Sequence, residues 1–121
     1  MQIEERSAGD VTILDLKGKM TLGEGDEVLK DKINSLVLQG HKKLVLNLAD
    51  VPYIDSAGLG ELVRTHASVR SRGGHLKLVN PSASVHHLLR ITKLDRVFDI
   101  VPDESSALSS LRQAAAAKSV G

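Results

Sequence analysis

The chain has no cysteine and no tryptophan, only three prolines, and just two aromatic side chains, Tyr53 and Phe98. Without cysteine there can be no disulfide and no thiolate metal site, a composition that fits a reducing compartment, and the cytoplasm is the expected location. Two aromatic rings are too few for the stacking platforms of single-strand nucleic-acid binders. A formal net charge of +1 supplies no broad field for steering polyanions, so no direct nucleic-acid partner is expected. No apolar run approaches the ~18 residues that a membrane span needs. Met1-Gln2-Ile3-Glu4-Glu5-Arg6 lacks the apolar core of a signal peptide, and no membrane insertion is expected.

What is present is an ordinary globular composition, 41% hydrophobic and 26% charged, in a length that suits one core; residues 1–121 are expected to form a single domain. Extended segments at 3–7 and 11–17 flank Ala8-Gly9-Asp10, which predicts an opening hairpin. In the second segment Val11 and Ile13 lie on one face and Leu14 and Leu16 on the other, so both faces should be covered. A glycine-punctuated loop at 18–25 precedes a helix over about 26–38 with Leu29, Ile33, Leu36 and Val37 in one stripe. The loop is no nucleotide loop of the G-x-x-x-x-G-K-[ST] kind, because Ile13 stands at the first glycine position and Met20 follows Lys19. Leu44-Val45-Leu46-Asn47-Leu48 reads as a central strand. A second long helix, ending near Ser71 before Gly73-Gly74, should place Leu59, Leu62, Val63, His66 and Val69 on its buried face, with His66 packed and hydrogen-bonded. A strand at 75–79 leads to a short helix bearing Val85, Leu88 and Leu89. A connector and a last strand over 97–100 follow. A final helix capped by Asp103 should carry Leu108, Leu111 and Ala115 on one side, with fraying from about Lys118. Strands alternating with helices predict an α/β fold with a mainly parallel sheet.

The turn Val51-Pro52-Tyr53-Ile54-Asp55-Ser56-Ala57-Gly58-Leu59-Gly60 joins the central strand to the second long helix. The first amides of a helix are unpaired and favour negative charge, so Ser56 is either the N-cap of that helix or an acceptor of phosphate. The segment by itself favours the cap, since many such turns use Ser or Asp. A hydrolase elbow, G-x-S-x-G, is excluded by Ile54 at the first glycine position. His86 and His87 are adjacent and would point about 100° apart on a helix, and no H-x-x-x-H pair exists, so no metal site is expected.

The order of elements, the segment Tyr53-Ile54-Asp55-Ser56-Ala57-Gly58-Leu59-Gly60 after the strand 44–51, Gly73-Gly74 before the strand to Val79, and Ile91-Thr92-Lys93-Leu94 before Val97-Phe98 together resemble the STAS domain, the family of bacterial anti-sigma factor antagonists and their relatives. The resemblance spans nearly the whole chain. It implies a mixed, mainly parallel sheet of four to five strands with about four helices packed mainly on one side. It also implies that the unphosphorylated chain binds an anti-sigma factor that is a serine kinase, releasing a sigma factor. Phosphorylation of Ser56 would end that binding, and a serine phosphatase would reset it. The implied partner-binding residues are Thr21, Asp55, Ser56, Ala57, Gly58 and Leu59. Asp55 matches the acidic neighbour of the serine, Ala57 a position that takes Ser or Ala, and Thr21 a loop position where many relatives are acidic. The chain would be no enzyme and carry no cofactor or metal. The resemblance leaves room for a homo-oligomer, and for a second role as a non-enzymatic scaffold or subunit of a stress-signalling or lipid or anion transport assembly. A phosphate would add ~1.5 to 2 negative charges at Ser56, enough to turn a complementary docking face repulsive.

Overall fold

The computed structural model describes residues 1–112, with the last helix traced to Val120. The expected packing of Ala115 and the expected fraying from about Lys118 lie outside the described residues. In order, the elements are β1 (Gln2–Ala8), β2 (Val11–Lys17), α1 (Gly25–Leu38), β3 (Lys43–Asp50), α2 (Ser56–Ser71), β4 (His75–Val79), α3 (Ala83–Ile91), a 3-10 turn (Leu94–Arg96), β5 (Asp99–Val101) and α4 (Glu104–Val120). The five strands lie in sequence order, β1-β2-β3-β4-β5, which puts the most apolar strand, β3, in the centre. β1 pairs antiparallel with β2 through the hairpin, and every later pairing is parallel. This is the expected α/β class.

The alternation within the strands sorts the core into two layers. Leu14, Leu16, Leu44, Leu46, Leu48, Leu76 and Leu78 face α1, α2 and α3, meeting Leu29 and Ile33, Leu62 and Val69, and Val85 and Leu89. Val11, Ile13, Val45 and Val79 face the other way, onto Ala107 and Leu111 of α4. A buried parallel sheet needs cover on both faces, which is why β2 and β3 are apolar nearly throughout. α4 is held at its start by Asp103, whose carboxylate accepts the Ser106 amide at 2.8 Å. Arg6 of β1 ties it to the sheet, donating to Asp15 at 2.6 Å and Glu104 at 2.7 Å.

Three expectations are corrected. Val63 is 38% exposed, because the buried face of α2 is Gly58, Glu61, Leu62, Thr65 and Val69. Positions 62 and 63 differ by about 100° around a helix, and packing selects only the first. His66 does pack, with its ring edge-on to Phe98 at 5.4 Å between centroids, but its ring nitrogens make no hydrogen bond among the described residues. The last strand starts two residues later than expected. Lys93 adopts a left-handed conformation (φ 60°), the 3-10 turn follows, and Phe98 enters the core ahead of the strand while Val97 stays exposed.

Candidate functional site

β3 delivers the chain to the carboxyl edge of the parallel sheet, and the turn between Asp50 and Ser56 lies against the loop that joins β2 to α1. The two segments interlock through the backbone. Met20 donates to the Tyr53 carbonyl at 3.0 Å, the Asp55 amide donates to the Met20 carbonyl at 3.2 Å, and Met20 and Ile54 form a one-residue parallel bridge. Met20 itself is fully buried.

Asp55 fastens this junction. Its Oδ1 accepts the Gly58 amide at 2.9 Å, capping α2, and its Oδ2 accepts the Leu22 amide of the neighbouring loop at 3.1 Å. Those two amides, Gly58 first and Leu22 second, hold its carboxyl below the usual carboxylate range. The N-cap role considered for Ser56 therefore belongs to Asp55, and Ser56 is the first residue of α2. The carboxylate of a residue in extended conformation reaches the amide three residues on, and here Asp55 has that geometry (φ −93°, ψ −176°).

Ser56 is exposed, and its hydroxyl makes no hydrogen bond among the described residues. Beside it Ala57 and Leu59 are half-buried. Gly58 is buried, with the Met20 carbonyl only 2.1 Å from the point where a Cβ would stand. Gly25 at the start of α1 also lies against this segment, its Cβ position 2.7 Å from the Lys19 carbonyl and the Met20 Cα. Two glycines thus admit one backbone segment between two helix starts. Thr21 lies one residue from the Leu22 amide that Asp55 holds. Its carbonyl accepts the Glu24 and Gly25 amides at 3.1 Å, and its hydroxyl donates to Glu24 at 3.4 Å. The structure so brings Thr21, Asp55, Ser56, Ala57, Gly58 and Leu59 to one place.

Two residues at this place escaped the sequence reading. Leu22 is 75% exposed and Tyr53 55% exposed, one in each interlocked loop, the Leu22 amide donating to Asp55 and the Tyr53 carbonyl accepting from Met20. Neither belongs to a periodic element, so no hydrophobic pattern singled them out. Large apolar groups in water on a turn held this firmly are what a protein interface offers. Among the described residues no three His, Asp or Glu side chains are grouped so as to hold a metal ion.

The model of the STAS domain matches residues 2–107. This chain belongs to the STAS domain family. A candidate anti-sigma factor antagonist of Thermotoga maritima is 33% identical over 104 residues, 86% of this chain and 92% of its own. A crystal structure of a T. maritima protein so described has a TM-score of 0.85 at 31% identity, covering 91% of this chain and 94% of that one. The anti-sigma-B factor antagonist of Bacillus subtilis is 44% identical over 73 residues, 60% of this chain and 66% of its own. SpoIIAA, an anti-sigma factor antagonist solved in unphosphorylated and phosphorylated forms, shares the fold at 18% identity, with TM-scores of 0.71 and 0.70 and 90–92% of this chain covered against 98% of its own. In this STAS chain the segment Asp55-Ser56-Ala57-Gly58-Leu59-Gly60 divides by role: Asp55 and Gly58 hold the junction, and Ser56 is left exposed on it.

Proposed function

We propose that this chain is an anti-sigma factor antagonist whose binding to an anti-sigma factor kinase is switched off by phosphorylation of Ser56 and restored by a serine phosphatase. The observation that carries the reading is the division of labour at the α2 start. Because Asp55 performs the capping, Ser56 has no structural duty, yet it stands exposed on the hydrogen-bonded junction that also carries the exposed Leu22 and Tyr53. The Gly58 and Leu59 amides are already bonded to Asp55, so a phosphate on Ser56 would present its charge outward to a partner. Relatives named as antagonists of anti-sigma factors, and a protein of the same fold solved with and without phosphorylation, support the reading. The chain acts by binding and is no catalyst in this scheme.

The test is a titration of wild type, Ser56→Ala and Ser56→Asp against the cognate kinase. Ser56→Ala should melt within about 0.5 kcal/mol of wild type, bind equally well and resist switching by ATP. Ser56→Asp should fold normally and bind at least about tenfold more weakly, a change of ~1.4 kcal/mol. If Ser56→Asp binds as tightly as wild type and the kinase transfers no phosphate to the wild-type chain, the proposal fails.

A further inference from the structure

We propose that the cleft between the C-terminal half of α2, β4 and the 3-10 turn before β5 binds a small oxyanion, either free phosphate or the phosphoryl head of a phosphomonoester. The cleft measures about 190 Å³ and is lined by His66, Arg70, Lys77, Arg96, Phe98 and Asp99, among others. It shares no residue with the Ser56 turn, and the proposal stands apart from the switch.

The lining brings three cations against one carboxylate, and that carboxylate, Asp99, is paired with Lys77. Among the described residues neither Arg70 nor Arg96 has a carboxylate within 4.0 Å. A formal excess of +2 is therefore gathered in one small cleft of a chain whose whole net charge is +1. Arg70 alone could be ascribed to the negative end of α2. That account does not reach Arg96, which a different segment delivers to the same cleft after the left-handed turn at Lys93. Two arginines lining one cleft from separate elements suit an oxyanion, which a guanidinium can engage through paired N–H groups.

Chemistry and size supply the rest. His66 forms part of the wall, held edge-on by Phe98. Burial and the neighbouring Arg70 charge keep its imidazole pKa below the ordinary value, so at neutral pH it offers one N–H donor without adding charge. A cleft of this volume lies below the ~300 Å³ at which sites for drug-sized ligands begin, which favours a single phosphoryl group over a nucleoside triphosphate.

Titration of the ¹⁵N-labelled chain with inorganic phosphate, and separately with glycerol phosphate, at constant ionic strength set by chloride, tests the site. Saturable amide shifts centred on His66, Arg70, Lys77, Arg96 and Phe98 are expected with at least one probe. The probe that saturates at lower concentration distinguishes free phosphate from a phosphomonoester. Arg70→Gln and Arg96→Gln should each weaken binding at least fivefold, while Arg90→Gln, on the exposed face of α3, should leave it unchanged. All three arginines are exposed, so the variants should keep a dispersed spectrum. Linear shifts without saturation for both probes, or saturation unaffected by Arg96→Gln, would overturn the proposal.

Discussion

The carboxylate of Asp55 accepts amides from two different segments, and its protonation would release both. Because those bonds lower its folded pKa beneath the ordinary value of 3.8, the stability it confers is fully present above that value and is lost as pH falls through the folded one. The melting temperature of Asp55→Asn should therefore trail wild type by a constant margin above about pH 5. The margin should shrink in more acid solution; a margin that grew as pH fell would contradict the assignment. The glycines nearby make a second pair of predictions. Gly58→Ala places a methyl on the Met20 carbonyl and should cost about 1–3 kcal/mol, whereas Gly60→Ala meets only the end of the Arg64 side chain and should gain up to ~1 kcal/mol of helix stability. Denaturant titration reads both. These roles were only half legible in the sequence. Asp55 and Ser56 are both good caps standing side by side, and which of them caps depends on a one-residue choice of helix start that the pattern of apolar residues does not record.

At the scale of the element, α2 shows what a hydrophobic stripe reveals and hides. Leu62 and Val69 were legible because they are apolar and close to two turns apart, and both are buried. Leu62→Ala should cost ~2–5 kcal/mol by leaving a cavity, while Val63→Ala should stay within about 0.5 kcal/mol of wild type. Chemical unfolding of the two variants separates them, and equal losses would mean the face is turned differently. Glu61 and Thr65 were not legible as buried positions, since polar side chains there interrupt the stripe. Glu61 is only 3% exposed, and its carboxylate accepts from the Arg64 Nε at 2.8 Å, so the buried charge is paired one turn along the helix. The last strand was misplaced for a similar reason. Val97-Phe98 reads as strand by residue type, but a left-handed residue at Lys93 and the 3-10 turn after it bring Phe98 into the core before the strand pairing begins at Asp99.

For the molecule as a whole, the sheet is clamped between α1, α2 and α3 on one face and α4 on the other, and the interlocked loops sit at the carboxyl edge of its parallel strands. The mainly parallel sheet and its central strand were legible because strands of alternating or continuous apolar character recur between helical stripes. The junction of the two loops was not, because it depends on contacts between segments distant in the chain. A surface built on so fixed a support can change its charge without refolding, which is what switching by modification of Ser56 requires. The most direct measurement of that claim is site-mapped mass spectrometry of the protein isolated from its native cell under several growth conditions. A phosphorylated fraction that varies with condition and carries its phosphate on Ser56 is expected. Protein that is unmodified in every condition, or modified at another residue while Ser56 stays free, would contradict it.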